Sequence, residues 1–180
     1  MLRSIQIGSE LDTFLKLVTM TGAKTGLEIG SYECGTGMVL ALHMGEESRV
    51  VGVDLPESEG GTKAEFEEEA VKQTGGRFTL IRGKSTAYAT KDAVMAALDG
   101  REVDVLLIDA EHTQAAAMND YETYKGLISE NGIIAFHDIC MDELWPMWCW
   151  LRGQRHRTRS IEIIHDLRQG GCGLGILLGR

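Results

Sequence analysis

The sequence predicts a doubly wound α/β fold: a seven-stranded sheet, mostly parallel with one antiparallel strand, and helices on both faces. Three observations lead there. Short apolar runs alternate with longer segments of helical spacing along most of the 180 residues. Several of those runs are apolar throughout, as strands covered on both faces must be. Only a short polar stretch, Asp166–Gly171, parts the last two runs, which suits an antiparallel hairpin.

The elements then fall in order. Ser9–Met20 is a helix with Leu11, Phe14, Leu15 and Val18 on one stripe. Gly26–Gly30 is the first strand, followed by a helix over Thr36–Met44. Val50–Asp54 precedes the helix Lys63–Thr74, and Phe78–Arg82 precedes Ala87–Leu98. Val103–Asp109 leads into Gln114–Ile128, and Gly132–His137 into Met141–Leu151. Ile161–His165 and Gly173–Leu178 close the chain. A strand followed each time by a helix is the right-handed crossover pattern of a parallel sheet, and this length makes one domain.

Composition excludes several classes. Hydrophobic residues make up 43% and charged residues 25%, enough apolar material for a core and too much for disorder. The net charge of −9 repels phosphate backbones, so no nucleic-acid partner is expected. The charge is uneven: residues 140–180 carry six Arg against four acidic residues, so the acidity lies upstream. Cys34, Cys140, Cys149 and Cys172 form no C-x-x-C pair and no zinc spacing, which suits a reduced, cytoplasmic protein. No apolar signal segment opens the chain, and no apolar run approaches the ~18 residues of a membrane span, so neither export nor a membrane is expected.

Ligands of such sheets sit at the carboxyl ends of the strands, and those ends carry the chemistry. The first strand runs into Glu28, Gly30, Ser31, Gly35, Thr36 and Gly37. Gly30 permits a sharp turn and close approach of a ligand, while Gly35 and Gly37 open a helix whose free N–H groups can bind an anion. Tyr32 stands where a dinucleotide G-x-G-x-x-G needs its second glycine, and Glu28 suits a ligand with a cationic amine. Asp54, after the second strand, can accept from two vicinal ribose hydroxyls. Gly83, Lys84, Ser85 and Thr86 follow the third strand; Ser85 and Thr86 fit either a helix N-cap or a contact to an adenine edge. The fourth and fifth strands deliver Asp109, His112, His137 and Asp138 to one rim, a pairing of imidazoles and carboxylates that points to function.

The segments LEIGSYECGTG, VVGVD, LIRGKST, VDVLLIDAEHTQAAAMNDYE and ISENGIIAFHD, over residues 24–140, resemble the successive motifs of class I S-adenosylmethionine-dependent methyltransferases. The EIGSY loop and the IDAEH…FHD pairing are similar to small-molecule O-methyltransferases acting on sugars and antibiotics. The resemblance implies a Rossmann-like fold and specific roles. Residues 1–22 would be an N-terminal helix, 23–138 a cofactor-binding core, and 139–180 a substrate-side helix and hairpin. Glu28, Gly30 and Ser31, with Gly35 and Thr36, would surround the amino acid end of the cofactor. Asp54 would hold its ribose, and Gly83, Lys84 and Ser85 would flank its adenine. Asp109 would border both the cofactor and the reaction centre. In relatives that use a divalent cation such as magnesium or manganese, acids at the fourth and fifth strand ends bind it, here Asp109 and Asp138. A histidine three residues past the first acid acts as base in some of them, here His112, with His137 the second candidate.

Departures from the pattern touch the acceptor side and the adenine contact more than the core cofactor site. Ala110-Glu111 replaces Gly-Asp, Gln114 replaces a tyrosine, Lys84 replaces an acid, and His137 stands where an acid is common. The imidazole argues against magnesium, a hard ion that prefers oxygen. The acceptor pocket would come from residues 1–20, 55–62 and 139–158, and a homodimer could complete it. Trp145, Trp148 and Trp150 suit a helix packed on the sheet or an aromatic wall for the acceptor. The run Arg152, Arg155, His156, Arg157, Arg159 suits a solvated loop or an anionic acceptor. Two other readings stay open: a nicotinamide-dependent oxidoreductase on a similar sheet, and a cofactor-binding subunit without catalysis.

Overall fold

The computed structural model describes residues 6–154, 159–165 and 172–179. The helices are α1 (Gly8–Thr21), α2 (Gly35–Met44), α3 (Ala64–Thr74), α4 (Tyr88–Leu98), α5 (Gln114–Tyr124) and α6 (Trp145–Gly153). The strands are β1 (Thr25–Ile29), β2 (Arg49–Asp54), β3 (Phe78–Arg82), β4 (Val103–Ile108), β5 (Ile128–Phe136), β6 (Arg159–Ile163) and β7 (Leu174–Leu178). They form one sheet in the order β3-β2-β1-β4-β5-β7-β6. β1 to β5 pair in parallel, and β7 runs antiparallel to both β5 and β6. The doubly wound architecture and its single reversed strand are therefore as expected. The turn Asp166–Gly171 and the basic residues Arg155, His156 and Arg157 lie outside the described residues.

Alternation along each strand sorts the core into two layers. Leu27, Ile29, Val53, Leu106 and Ile108 face Val94 and Leu98 of α4, Ala117 and Tyr124 of α5, and Met147, Trp148 and Leu151 of α6. Val50, Val105, Leu107, Ala135 and Ile176 face Phe14 and Val18 of α1, Leu40, Ala41 and Met44 of α2, and Ala70 of α3. All five residues of β1 are buried, the polar Thr25 and Glu28 among them.

Most element ends fall within two residues of the sequence reading, and the larger differences have physical causes. The helix expected to reach Ile128 stops at Tyr124; a single 3-10 turn, Lys125–Leu127, follows, and Ile128 begins β5. Ile128 pairs with Val103, and Gly132 lets the strand bulge past it, since a Cβ there would lie 2.6 Å from Ile128 Cγ2 and 2.9 Å from the Val103 carbonyl. The helix expected from Met141 begins only at Trp145, because Pro146 in its first turn has no N–H to give. Ser85 and Thr86 do not cap α4: the cap position is Ala87, with no side-chain bond.

Trp148 is fully buried, its ring against Phe136 and its Nε1 donating to Glu162 at 2.7 Å, whereas Trp150 is 56% exposed. Trp148 thus belongs to the core and not to an acceptor wall. Glu10 ties α1 to the C-terminal hairpin: its carboxylate accepts from the backbone N–H of His165 at 2.8 Å and of Gly173 at 3.0 Å. No helix among the described residues is long and apolar enough to cross a membrane.

Candidate active site

The strand order reverses between β1 and β4, and the crevice of a doubly wound sheet opens at that switch. Gly30 seals its floor. Gly30 has φ +92°, donates its N–H to the Val53 carbonyl at 2.9 Å, and packs so closely that a Cβ would lie 2.6 Å from the Asp109 carbonyl carbon. Asp109 N–H in turn donates to the Ile29 carbonyl at 2.8 Å. The two strand ends are thereby locked side by side, and a cavity of about 320 Å³ opens above them. Its walls are the glycine-loop residues Glu28, Gly30, Ser31, Tyr32, Glu33, Gly35 and Thr36, the strand-end residues Asp109, Ala110, His112, His137 and Asp138, and Gln6.

Glu28 is buried, accepts from Ser31 Oγ at 2.9 Å, and sits 2.7 Å from where a Cβ on Gly37 would stand. Burial pushes it up to about 8, against the bond from Ser31 and reinforced by the charges of Asp109 and Asp54. A cation entering the cavity would draw it into the ionised form.

At the other end the imidazoles and carboxylates interlock. His112 Nε2 lies 2.8 Å from Asp138 Oδ2 and 3.7 Å from Asp109 Oδ1. His137 Nδ1 lies 3.3 Å from Asp109 Oδ1 and 3.2 Å from Asp138 Oδ2. Those His137 distances are ion-pair distances without hydrogen-bond geometry: neither ring nitrogen, nor Asp138 Oδ1, has a hydrogen-bond partner among the described residues. Burial opposes a charge on His137, but the flanking Asp109 and Asp138 raise it above the ordinary histidine range. The contact with Asp109 and the charge of Asp138 raise His112, against its partial burial. Burial would raise Asp109, but His112, His137 and Gln6 outweigh it and hold the carboxyl well below the usual range. Asp138 holds its position with φ +57°, a strained conformation for a residue with a side chain.

Donor atoms of Asp109, His137 and Asp138 all lie within 4.8 Å of one another. His137 and Asp138 bring buried atoms without hydrogen-bond partners among the described residues to this cluster, which fits a divalent cation. Sequence reasoning named the two acids; the structure adds His137 to the donor set.

The remaining expected residues stand apart from this cavity. The Asp54 carboxylate accepts from Tyr32 N–H at 2.5 Å, Thr62 Oγ1 at 2.8 Å and its neighbour Leu55 N–H at 2.7 Å. It staples the glycine loop to the segment after β2, and lone pairs left over can still take a hydroxyl. Gly83 and Ser85 do not line the cavity, and Lys84 is exposed. Ser85 Oγ donates to Asp120 at 2.5 Å. Gln6 was not singled out in the sequence. It lies before α1 with no motif around it, and only the fold brings it to Asp109, 103 positions on.

A glycine-loop crevice at a sheet switch point, closed by paired imidazoles and carboxylates, defines a Rossmann-like protein with a ligand site at the carboxyl ends of its strands. Residues 27–139 match the family described as a methyltransferase domain, and the chain belongs to that family. The resemblance to S-adenosylmethionine-dependent methyltransferases is borne out, and the oxidoreductase alternative falls with it. Solved structures agree in fold. An O-methyltransferase from Bacillus cereus in complex with SAH is 15% identical, with a TM-score of 0.73 over 99% of this chain and 84% of that one. Cofactor-bound Rv0187 from MTB is 20% identical, with a TM-score of 0.72 over 99% and 84%. The O-methyltransferase TomG from Streptomyces achromogenes, involved in tomaymycin synthesis and in complex with SAM, is 14% identical, with a TM-score of 0.70 over 94% and 79%. A search of curated protein sequences gave no significant match.

Proposed function

We propose that this protein moves the methyl group of S-adenosylmethionine to a hydroxyl oxygen of a small molecule, in the cytoplasm. The observation that carries the reading is the cavity itself. One end, with Glu28, Ser31 and the N-terminus of α2, suits an amino acid bearing an ammonium and a carboxylate. The other end presents His112 beside Asp109, His137 and Asp138. The similar folds that bind SAM or SAH support the donor.

The transfer is an in-line displacement. The acceptor oxygen attacks the methyl carbon, the carbon–sulfur bond breaks with its electron pair going to sulfur, and the hydroxyl proton leaves to a base. Alignment of the three atoms is the main contribution of the fold, and such positioning can supply ~7–11 kcal/mol. Asp109, His137 and Asp138 would hold a divalent cation, and the imidazole favours manganese or a softer ion over magnesium. When bound, that cation supplies a Lewis acid that lowers the pKa of the hydroxyl. His112, with its Nε2 2.8 Å from Asp138 Oδ2 at the rim of the cavity, would accept the hydroxyl proton at that nitrogen.

The test measures S-adenosylhomocysteine release over a panel of hydroxylated acceptors, with and without manganese. His112→Ala should slow turnover by roughly 10²–10⁴-fold while leaving affinity for S-adenosylhomocysteine near normal. Full activity in that variant rejects the assigned base.

A further inference from the structure

Gln6 stands just ahead of α1, in the segment that Glu10 anchors to the C-terminal hairpin, and it walls the cavity. Its two amide atoms have different fates. Nε2 donates to Asp109 Oδ2 at 3.1 Å. Because a carboxylate only accepts, that bond fixes the orientation of the amide. Oε1 is left buried, with no hydrogen-bond partner among the described residues. A buried acceptor without a donor is destabilising unless something supplies one. The two oxygens of Asp109 are divided in the same way: Oδ1 is the one that faces His112 and His137, and Oδ2 is the one Gln6 holds. Gln6 therefore contacts Asp109 through the oxygen that the imidazoles leave free. The same cavity carries Glu28, Ser31 and the backbone of Gly30, an acidic lining suited to a cation with hydrogens to donate.

We propose that Gln6 is a binding residue for the α-ammonium group of the methyl donor, accepting one of its N–H bonds at Oε1 while its own N–H keeps Asp109 turned toward the imidazoles. The assignment rests on the donor reading above. It gives the N-terminal segment a direct part in the site: the amide caps the amino acid end of the ligand, and filling the cavity supplies Oε1 with the donor it lacks among the described residues. An amide carbonyl attracts the ammonium without adding a further negative charge beside Asp109, which a carboxylate at this position would do.

Calorimetry with two ligands tests it. S-adenosylhomocysteine carries the ammonium; 5′-methylthioadenosine shares its adenosine and thioether but has no amino acid. Gln6→Met keeps the volume and removes both polar atoms. The expected result is a loss of about tenfold or more in affinity for S-adenosylhomocysteine, the size of one hydrogen bond to a charged group, with 5′-methylthioadenosine bound equally by both proteins. Gln6→Ala should show the same selective loss, which separates the missing acceptor from the fit of the methionine side chain. An equal loss for both ligands marks a general structural defect and overturns the assignment, as does undiminished affinity for S-adenosylhomocysteine. Failure of the wild-type protein to bind either ligand overturns the donor reading itself, and the role of Gln6 with it.

Discussion

Gly30→Ala is the sharpest test of how the crevice is built. Two separate costs meet at this residue. Its φ of +92° is disfavoured for any residue with a Cβ, at ~1–2 kcal/mol. The new Cβ would also stand 2.6 Å from the carbonyl carbon and 2.7 Å from the Cα of the neighbouring Asp109 and Ala110, closest of all to the Asp109 carbonyl oxygen. These are backbone atoms and cannot swing aside, so overpacking adds a further ~1–3 kcal/mol. Gly22, the cap of α1, isolates the first cost: it has φ +71° but nothing within 4 Å of its built Cβ. Urea unfolding of Gly30→Ala and Gly22→Ala should therefore differ by about 2 kcal/mol, roughly 4–8 °C in Tm for a chain of this size. The displaced Asp109 should also cost Gly30→Ala its affinity for S-adenosylhomocysteine. Equal destabilisation of the two variants would show that β1 and β4 are not packed as tightly as described.

Two further outcomes follow from burial. Glu28 has its folded pKa raised from 4.5 to about 8, so the stability it contributes is complete below pH 4.5 and lost as pH rises through 8, because the unfolded chain releases a proton that the folded one keeps. Over that window the ligand-free protein should lose up to about 5 kcal/mol through this residue, and Glu28→Gln should flatten the decline; parallel urea midpoints for the two proteins from pH 5 to 8 would refute it. Trp148→Ala should destabilise by ~3–5 kcal/mol, whereas Trp150→Ala, on the exposed side of the same helix, should stay within about 0.5 kcal/mol. Similar losses in thermal unfolding would contradict the placement of α6.

The central strands were legible because they are short runs rich in apolar residues and buried on both faces; β3, at the sheet edge and only partly buried, also matched its expected bounds, Phe78–Arg82. Boundaries failed where a tertiary contact decided them. Nothing local distinguishes Ile128 as a strand residue; its pairing with Val103 does. Ser85 looks like a helix cap, but its hydroxyl bonds Asp120 instead, a partner 35 residues away. Asp54 and Trp148 show the same limit: their chemistry was plain, but which neighbours would claim it was not.

The alternation of elements, the reversed hairpin, and the arrival of Asp109, His112, His137 and Asp138 at one rim could all be read from residue order. Those properties depend on period and on position along a strand, both local to the chain. Only the folded chain shows that both ring nitrogens of His137 lack hydrogen-bond partners among the described residues, that Asp54 is tied into the glycine loop, and that Gln6 reaches across 103 positions to Asp109. The reason is physical. Which polar atoms pair and which are left over is set by the packing of distant segments, and periodicity carries no record of it.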